Sequence, residues 1–128
     1  MKDDERAGLA SVYFHDLCPT LRNLWAPQFI NPGSTWFTTP VPKPTWGSEE
    51  YRGRVAYIRT LDDLVVPLNM QQKMLDESEM ESGPGVVNGY PKKVSWVVKD
   101  IQSGHSPQLS QSQKLVDIMV ELVEGFMA

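Results

Sequence analysis

The sequence predicts an α/β fold, and three features of the second half of the chain support this. Two short runs rich in β-branched and aromatic residues, 54–59 and 94–98, predict strands. Each is followed by a helical pattern, the first from Leu68 and the second after Ser110. The order strand, helix, strand, helix is typical of βαβ units with a parallel sheet. Because two strands are too few for an independent parallel sheet, we expect one end of a larger α/β fold.

Local signals place each of these elements. Pro67 suits the first turn of the first helix, and residues 76–91, acidic and then rich in Gly and Pro, predict a loop. Ser110 and Gln113 predict a capping box at the start of the last helix. Its apolar residues recur every three or four positions, at Leu115, Ile118, Met119, Leu122 and Phe126.

The first half of the chain is less regular. Residues 17–29 predict a short helix that Pro27 ends. Residues 30–47 contain four prolines and three aromatic residues, so we expect an ordered, irregular connection there.

Composition excludes several classes of protein. A net charge of -4 provides no basic surface for nucleic acid. No apolar run approaches the ~20 residues that span a bilayer, and no secretory signal follows Met1, so we expect a cytoplasmic protein without a membrane partner.

The single cysteine, Cys18, allows no intramolecular disulfide and is expected to be a small buried residue. No cluster has metal-ligand spacing, and the sequence predicts no metal and no cofactor.

Chemistry is predicted at the ends of the two strands. Asp62 and Asp63 follow the first strand, and His105 follows the second. Neighbouring parallel strands would bring Asp63 and His105 to the same rim, where a carboxylate can orient a histidine and stabilise its imidazolium form. The alternative is that Asp63 is only a turn residue and His105 a helix-entry residue. Asp62 is expected to be solvated, and His15 with Asp16 to occupy a surface or cap position.

Two segments resemble a known family. YIRTLDDLVVP (57–67) and GHSPQLS (104–110) resemble the acid turn and the histidine turn of methylesterase and hydroxynitrile-lyase-like α/β-hydrolases. Counted back from Pro67, the matching acid is Asp63, and Asp63 before His105 follows the family's chain order. The lyases carry a lysine after the histidine, whereas Ser106 stands here and favours an esterase-like parent.

The resemblance implies a partial α/β-hydrolase fold: the end of the cap plus the last two parallel strands and flanking helices. Residues 1–50 would be a cap remnant and return to the core, and residues 51–128 the C-terminal part of the core. Trp36, Phe37 and Trp46 would line a substrate pocket. The implied reaction is hydrolysis of a small carboxylic ester, such as a methyl ester, by a Ser-His-Asp triad in which Asp63 and His105 are catalytic.

The sequence departs from this family in one main respect. The nucleophile elbow G-x-S-x-G and the oxyanion-hole segment are not found in the 128 residues. Three hypotheses follow: a C-terminal fragment of a serine esterase, a catalytically inactive interaction protein, or a half that needs a partner chain supplying the serine. Without further strands, we expect self-association through an exposed sheet edge.

Overall fold

The two predicted strands pair in parallel in a computed structural model that describes residues 2–29, 38, 49–51, 53–80 and 96–128. Strand β1 is Ala56–Thr60 and strand β2 is Val97–Ile101, with Ala56 opposite Val97 and Thr60 opposite Ile101. The predicted parallel pairing is therefore confirmed, and the described residues form a mixed, largely helical structure around a small two-stranded sheet.

Strand β2 extends beyond its predicted end because its polar residues find partners. The sequence predicted an end at residue 98, directly before the charged residues Lys99 and Asp100. In the structure Asp100 lies opposite Arg59 on β1 and accepts two hydrogen bonds from its guanidinium, at 2.7 and 2.8 Å. Lys99 Nζ lies 2.5 Å from a carboxylate oxygen of Glu121 on the last helix. These ion pairs satisfy charged side chains on a strand that is only partly buried.

Five α-helices accompany the sheet in the described part of the chain. Two precede it, α1 (Asp3–Tyr13) and α2 (Pro19–Trp25), and a 3-10 turn (Ala26–Gln28) follows α2. Another 3-10 turn covers Glu49–Tyr51. Helix α3 (Leu68–Met80) follows β1, and helices α4 (Pro107–Ser110) and α5 (Ser112–Met127) follow β2.

Two local predictions were wrong, and one helix was not predicted. Asp3, Asp4 and Glu5 lie in the first turn of that helix, α1, where negative charge suits the helix dipole. The capping box does not form, because Ser110 is the last residue of α4, and α5 begins at Ser112 without a side-chain cap. Cys18 is exposed, since it immediately precedes α2 at the surface.

The buried residues come from the sheet and from helices α3 and α5. Leu75 and Gln71 of α3 are buried, as is Leu122 of α5, and Ile101 of β2 is fully enclosed. A separate apolar cluster joins Ala10, Phe14 and Leu17 to Leu109 of α4. The N-terminal helices thus pack against the turn that follows β2.

Part of the predicted organisation lies outside the described residues. Trp36, Phe37 and Trp46, predicted to line a pocket, are among these residues, as is most of the predicted loop 76–91. The division at residue 50 between cap remnant and core stays a prediction.

Candidate acid–histidine site

The strand register brings the turns after β1 and β2 to the same end of the sheet. Thr60 and Ile101 are the last register pair, and the hydrogen-bonded ladder continues past them. Leu61 donates its N–H to the carbonyl of Ile101 at 3.0 Å, and Asp62 donates to the carbonyl of Ser103 at 3.1 Å. The two turns are therefore tied to each other just before the side chains of interest.

Asp63 and His105 meet at this end of the sheet. His105 Nδ1 lies 2.9 Å from Asp63 Oδ2, although the residues are 42 positions apart in the chain. The Asp63 side chain is 4% exposed, whereas that of His105 is 34% exposed. The predicted juxtaposition is confirmed, and the pair presents a buried acid behind a histidine that reaches the surface.

Four hydrogen bonds hold the Asp63 carboxylate. Besides His105, Thr60 Oγ1 donates to Oδ2 at 2.9 Å, and the N–H groups of Val65 and Val66 donate to Oδ1 at 2.8 and 2.9 Å. Burial would raise the pKa of Asp63, but the bond from Val66, followed by those from His105, Thr60 and Val65, outweighs burial and lowers that pKa. Asp63 is therefore an ionised acceptor at neutral pH.

A buried amide supports Thr60, which in turn supports Asp63. Gln71 is 1% exposed, and its Oε1 accepts the Thr60 N–H at 3.0 Å. Its Nε2 donates to the carbonyls of Thr60 and Val66, at 2.9 and 2.8 Å. Sequence reasoning missed this group, because a glutamine at the start of a helix usually points to solvent. The only available signal was its place among apolar residues of α3.

The N-terminal turn also reaches the site. Asp16 is exposed, as the sequence predicted, but its Oδ2 accepts the backbone N–H of Gly104 at 2.7 Å across 88 positions. The ring of Tyr13 meets the ring of His105 edge to face, with centroids 5.0 Å apart. No sequence pattern connected these residues, since the contact depends on how the helices pack.

Asp62 serves as a natural comparison for its neighbour. It is exposed, as predicted, and its carboxylate accepts a hydrogen bond from Gln102 Nε2. Its side chain thus faces another partner, and of the adjacent acids only Asp63 bonds to the histidine among the described residues.

This arrangement can accept a proton. Since ionised Asp63 can only accept, Nδ1 of a neutral His105 carries the hydrogen and Nε2 holds the lone pair. Among the described residues no hydrogen bond to Nε2 is found, and the His105 side chain is 34% exposed. A histidine oriented in this way can act as a general base towards a hydroxyl group.

Among the described residues, no three His, Cys, Asp or Glu side chains lie close enough together to hold a metal ion. No helix in the described part of the chain combines the length and apolar character required to cross a bilayer.

Comparison with known proteins gives no independent assignment. No protein-family model, no curated protein and no solved structure matches this chain.

Proposed function

We propose that Asp63 and His105 are the acid and the histidine of a Ser-His-Asp triad that hydrolyses small carboxylic esters of the methyl-ester type. The observation that carries the proposal is the 2.9 Å bond between His105 Nδ1 and the buried, ionised Asp63. The chain would be the C-terminal portion of an α/β-hydrolase, with residues 1–50 as the end of the cap. The serine and the oxyanion hole come from polypeptide outside residues 1–128.

In the proposed reaction each group has a distinct part. His105 Nε2 takes the proton of the serine hydroxyl as its oxygen attacks the ester carbonyl. The same nitrogen then returns the proton to the departing alcohol, and water repeats the cycle to release the acid. Asp63 keeps the proton on Nδ1 and stabilises the imidazolium that forms on each transfer. Its lowered pKa suits this part, because a protonated acid would provide no charge to stabilise the ring.

Several features support the triad over a mere turn interaction. A carboxylate that served only its own turn would be satisfied by the N–H groups of Val65 and Val66. Asp63 uses its other oxygen for His105, and the ring is left one-third exposed rather than buried. The acid and the base are thus held together while about a third of the histidine side chain stays exposed.

The test begins at the 5′ end of the transcript, where the codons in frame before Met1 are read and the whole encoded chain is expressed. We expect additional strands and a G-x-S-x-G turn, and hydrolysis of p-nitrophenyl acetate by the purified protein. His105→Ala and Asp63→Asn should each lower kcat/KM by about three to four orders of magnitude. Asp62→Asn is the matched control, since it removes an adjacent carboxylate that faces Gln102.

Two results would contradict the proposal. One is hydrolysis that persists in His105→Ala at the level of Asp62→Asn. The other is a reading frame that begins at Met1, together with no fluorophosphonate labelling of this chain or of any polypeptide that copurifies with it.

A specific observation favours a second candidate function, that of an interaction protein without catalysis. Helix α5 exposes half or more of Val116, Met119, Val120 and Val123, which line an apolar groove of about 320 Å³. Apolar surface of this kind marks contact sites in folded proteins. Loss of partner binding on mutation of this face, with no esterase activity in any form of the protein, would favour this candidate.

A further inference from the structure

We propose that Asp16 is a positioning residue for His105, acting through the backbone of Gly104. The proposal rests on the triad function above for its catalytic consequence, but its structural basis is independent of that function. Asp16 lies in the first half of the chain, on a turn between α1 and α2, and touches neither ring nitrogen of the histidine.

The turn that carries Asp16 is itself firmly held. Phe14 and Leu17, on either side of it, are buried in the N-terminal apolar cluster. The guanidinium of Arg22 donates to the carbonyls of Phe14, His15 and Leu17, at 3.1, 2.7 and 3.3 Å. A planar cation that bonds three carbonyls of one turn fixes the direction of that turn. The backbone that carries the Asp16 carboxylate is consequently held in place.

This carboxylate determines where the histidine turn lies. Asp16 Oδ2 accepts the N–H of Gly104 at 2.7 Å, a short charge-assisted bond to the residue directly before His105. The Gly104 N–H is buried in a turn outside the strand ladder, so loss of Asp16 would leave it without a partner. A rotation of this peptide would move the Cα of His105 and with it the ring.

Gly104 provides a second observation at the same contact. A Cβ atom at this position would lie 2.6 Å from His15 Cε1 and 2.7 Å from Asp16 Oδ1. Such distances are far below van der Waals contact, so a side chain at position 104 would displace the side chains of His15 and Asp16. The contact between the two turns therefore depends both on the missing side chain of Gly104 and on the carboxylate of Asp16.

The position of the ring follows from three contacts together. Asp63 holds Nδ1 at 2.9 Å, and the Tyr13 ring meets the imidazole edge to face. Asp16 holds the backbone from which the ring projects. Tyr13 and Asp16 belong to the same N-terminal segment, so that segment sets the direction in which Nε2 points.

The experiment compares Asp16→Ala, Asp16→Asn and Gly104→Ala with wild type, in the full encoded chain. Hydrogen–deuterium exchange of the Gly104 amide is measured first, because it needs no catalytic activity. We expect about tenfold faster exchange in Asp16→Ala, and much of the protection restored in Asp16→Asn, whose amide oxygen can still accept. Asp62→Ala, which removes a nearby exposed carboxylate, should leave the Gly104 amide unchanged.

Ester hydrolysis then separates positioning from simple structural support. Asp16→Ala should lower kcat about tenfold with KM within about twofold, since the geometry of proton transfer changes and substrate contacts do not. Asp16→Asn should recover most of kcat, and Gly104→Ala should resemble Asp16→Ala.

Each adverse outcome has a distinct meaning. Unchanged Gly104 exchange in folded Asp16→Ala overturns the positioning role, as does a rise in KM with kcat intact. If Asp16→Ala does not fold, the isosteric variant Asp16→Asn provides the test. A kcat of Asp16→Asn as low as that of Asp63→Asn would then contradict a role of Asp16 through the Gly104 backbone. Wild-type protein without esterase activity refutes the triad function, while the exchange data still decide whether Asp16 holds the turn.

Discussion

The side-chain amide of Gln71 satisfies both backbone groups of Thr60 on the side of β1 that faces away from β2. Thr60 donates its N–H to Gln71 Oε1 at 3.0 Å, and Gln71 Nε2 donates to the Thr60 carbonyl at 2.9 Å. Alternate residues of a strand direct their backbone groups to opposite edges, and Leu61 bonds to β2. Gln71 therefore replaces a neighbouring strand at the last residue before the acid turn.

Replacement of this amide should loosen the acid turn. In Gln71→Leu, the N–H and carbonyl of Thr60 lose their partner inside the protein, at a cost of about 1–3 kcal/mol for each unsatisfied group. We expect a lower thermal midpoint and faster exchange of the Thr60 amide. Asn69→Leu, on the exposed face of the same helix, is the control and should change neither. Equal behaviour of the two variants would show that Gln71 does not support the turn.

Stability should depend on the charge of Asp63 in one pH window. The hydrogen bonds to this carboxylate lower its pKa in the folded chain below the ordinary value of about 3.9. Its contribution is therefore fully present above about pH 4 and is lost as pH falls through the lowered pKa. Asp63→Asn should reduce the thermal midpoint at pH 7, and the difference from wild type should shrink on acidification below about pH 4.

Asp100, whose carboxyl pKa is also lowered, provides a control for the pH dependence expected of Asp63. Its hydrogen bonds to Arg59 also lower its pKa, but the pair lies at the surface, where solvent weakens its effect. Asp100→Asn should therefore change the midpoint less than Asp63→Asn. A difference between wild type and Asp63→Asn that does not vary with pH would contradict the assignment of a charged Asp63.

The tautomer of His105 is a further observable. An ionised carboxylate only accepts, so the neutral ring should carry its hydrogen on Nδ1. Long-range ¹⁵N–¹H correlation spectra of labelled protein at alkaline pH should show Nδ1 protonated and Nε2 bare. In Asp63→Asn the amide can donate as well as accept, so we expect a mixture of both tautomers. An Nε2-protonated ring in wild type would rule out the proposed base.

The exposed face of α5 should govern association. Val120 and Val123 are 50% and 54% exposed, and the groove they line is apolar. We expect the 128-residue chain to self-associate, or to melt without cooperativity, when it is expressed by itself. The double variant Val120→Lys, Val123→Lys should lower the association measured by sedimentation velocity. Gln113→Lys adds charge on an exposed polar position of α5 and should leave association unchanged.

A wild-type monomer with sharp two-state unfolding would contradict this expectation. It would mean that the described residues, with the rest of the chain, bury enough apolar surface to fold without a further partner.

The sequence predicted the parts of the fold that depend on local patterns. The apolar repeat of α5 and the β-branched runs placed the last helix and both strands, and the strand pairing followed from their order. Helix α1 was missed because its polar residues show little apolar periodicity, so that its packing on Phe14 and Leu17 had no local signal. The extension of β2 depended on the Arg59–Asp100 pair, which only the strand register brings together.

The sequence predicted the two reactive side chains of the site, but it did not predict the residues that surround and support them. Asp63 and His105 follow two strands directly, so parallel pairing was enough to bring them near each other. The residues that support this pair come from other parts of the chain. Gln71 lies on helix α3, and Asp16 lies on a turn 88 positions before Gly104. Contacts of this range are set by tertiary packing, for which a single sequence has no periodic signature.

The distance along the chain between Asp16 and Gly104 has a consequence for the order of folding. Closure of an 88-residue loop requires a larger loss of chain entropy than any contact within β1, α3 or α5, although this cost grows only slowly with length. Local helices and the parallel pair can form while Asp16 and Gly104 are still apart. The histidine is therefore expected to reach its final orientation late, once the turn that carries Asp16 has docked on Gly104, and mutations in that turn should delay maturation of the site more than formation of the sheet.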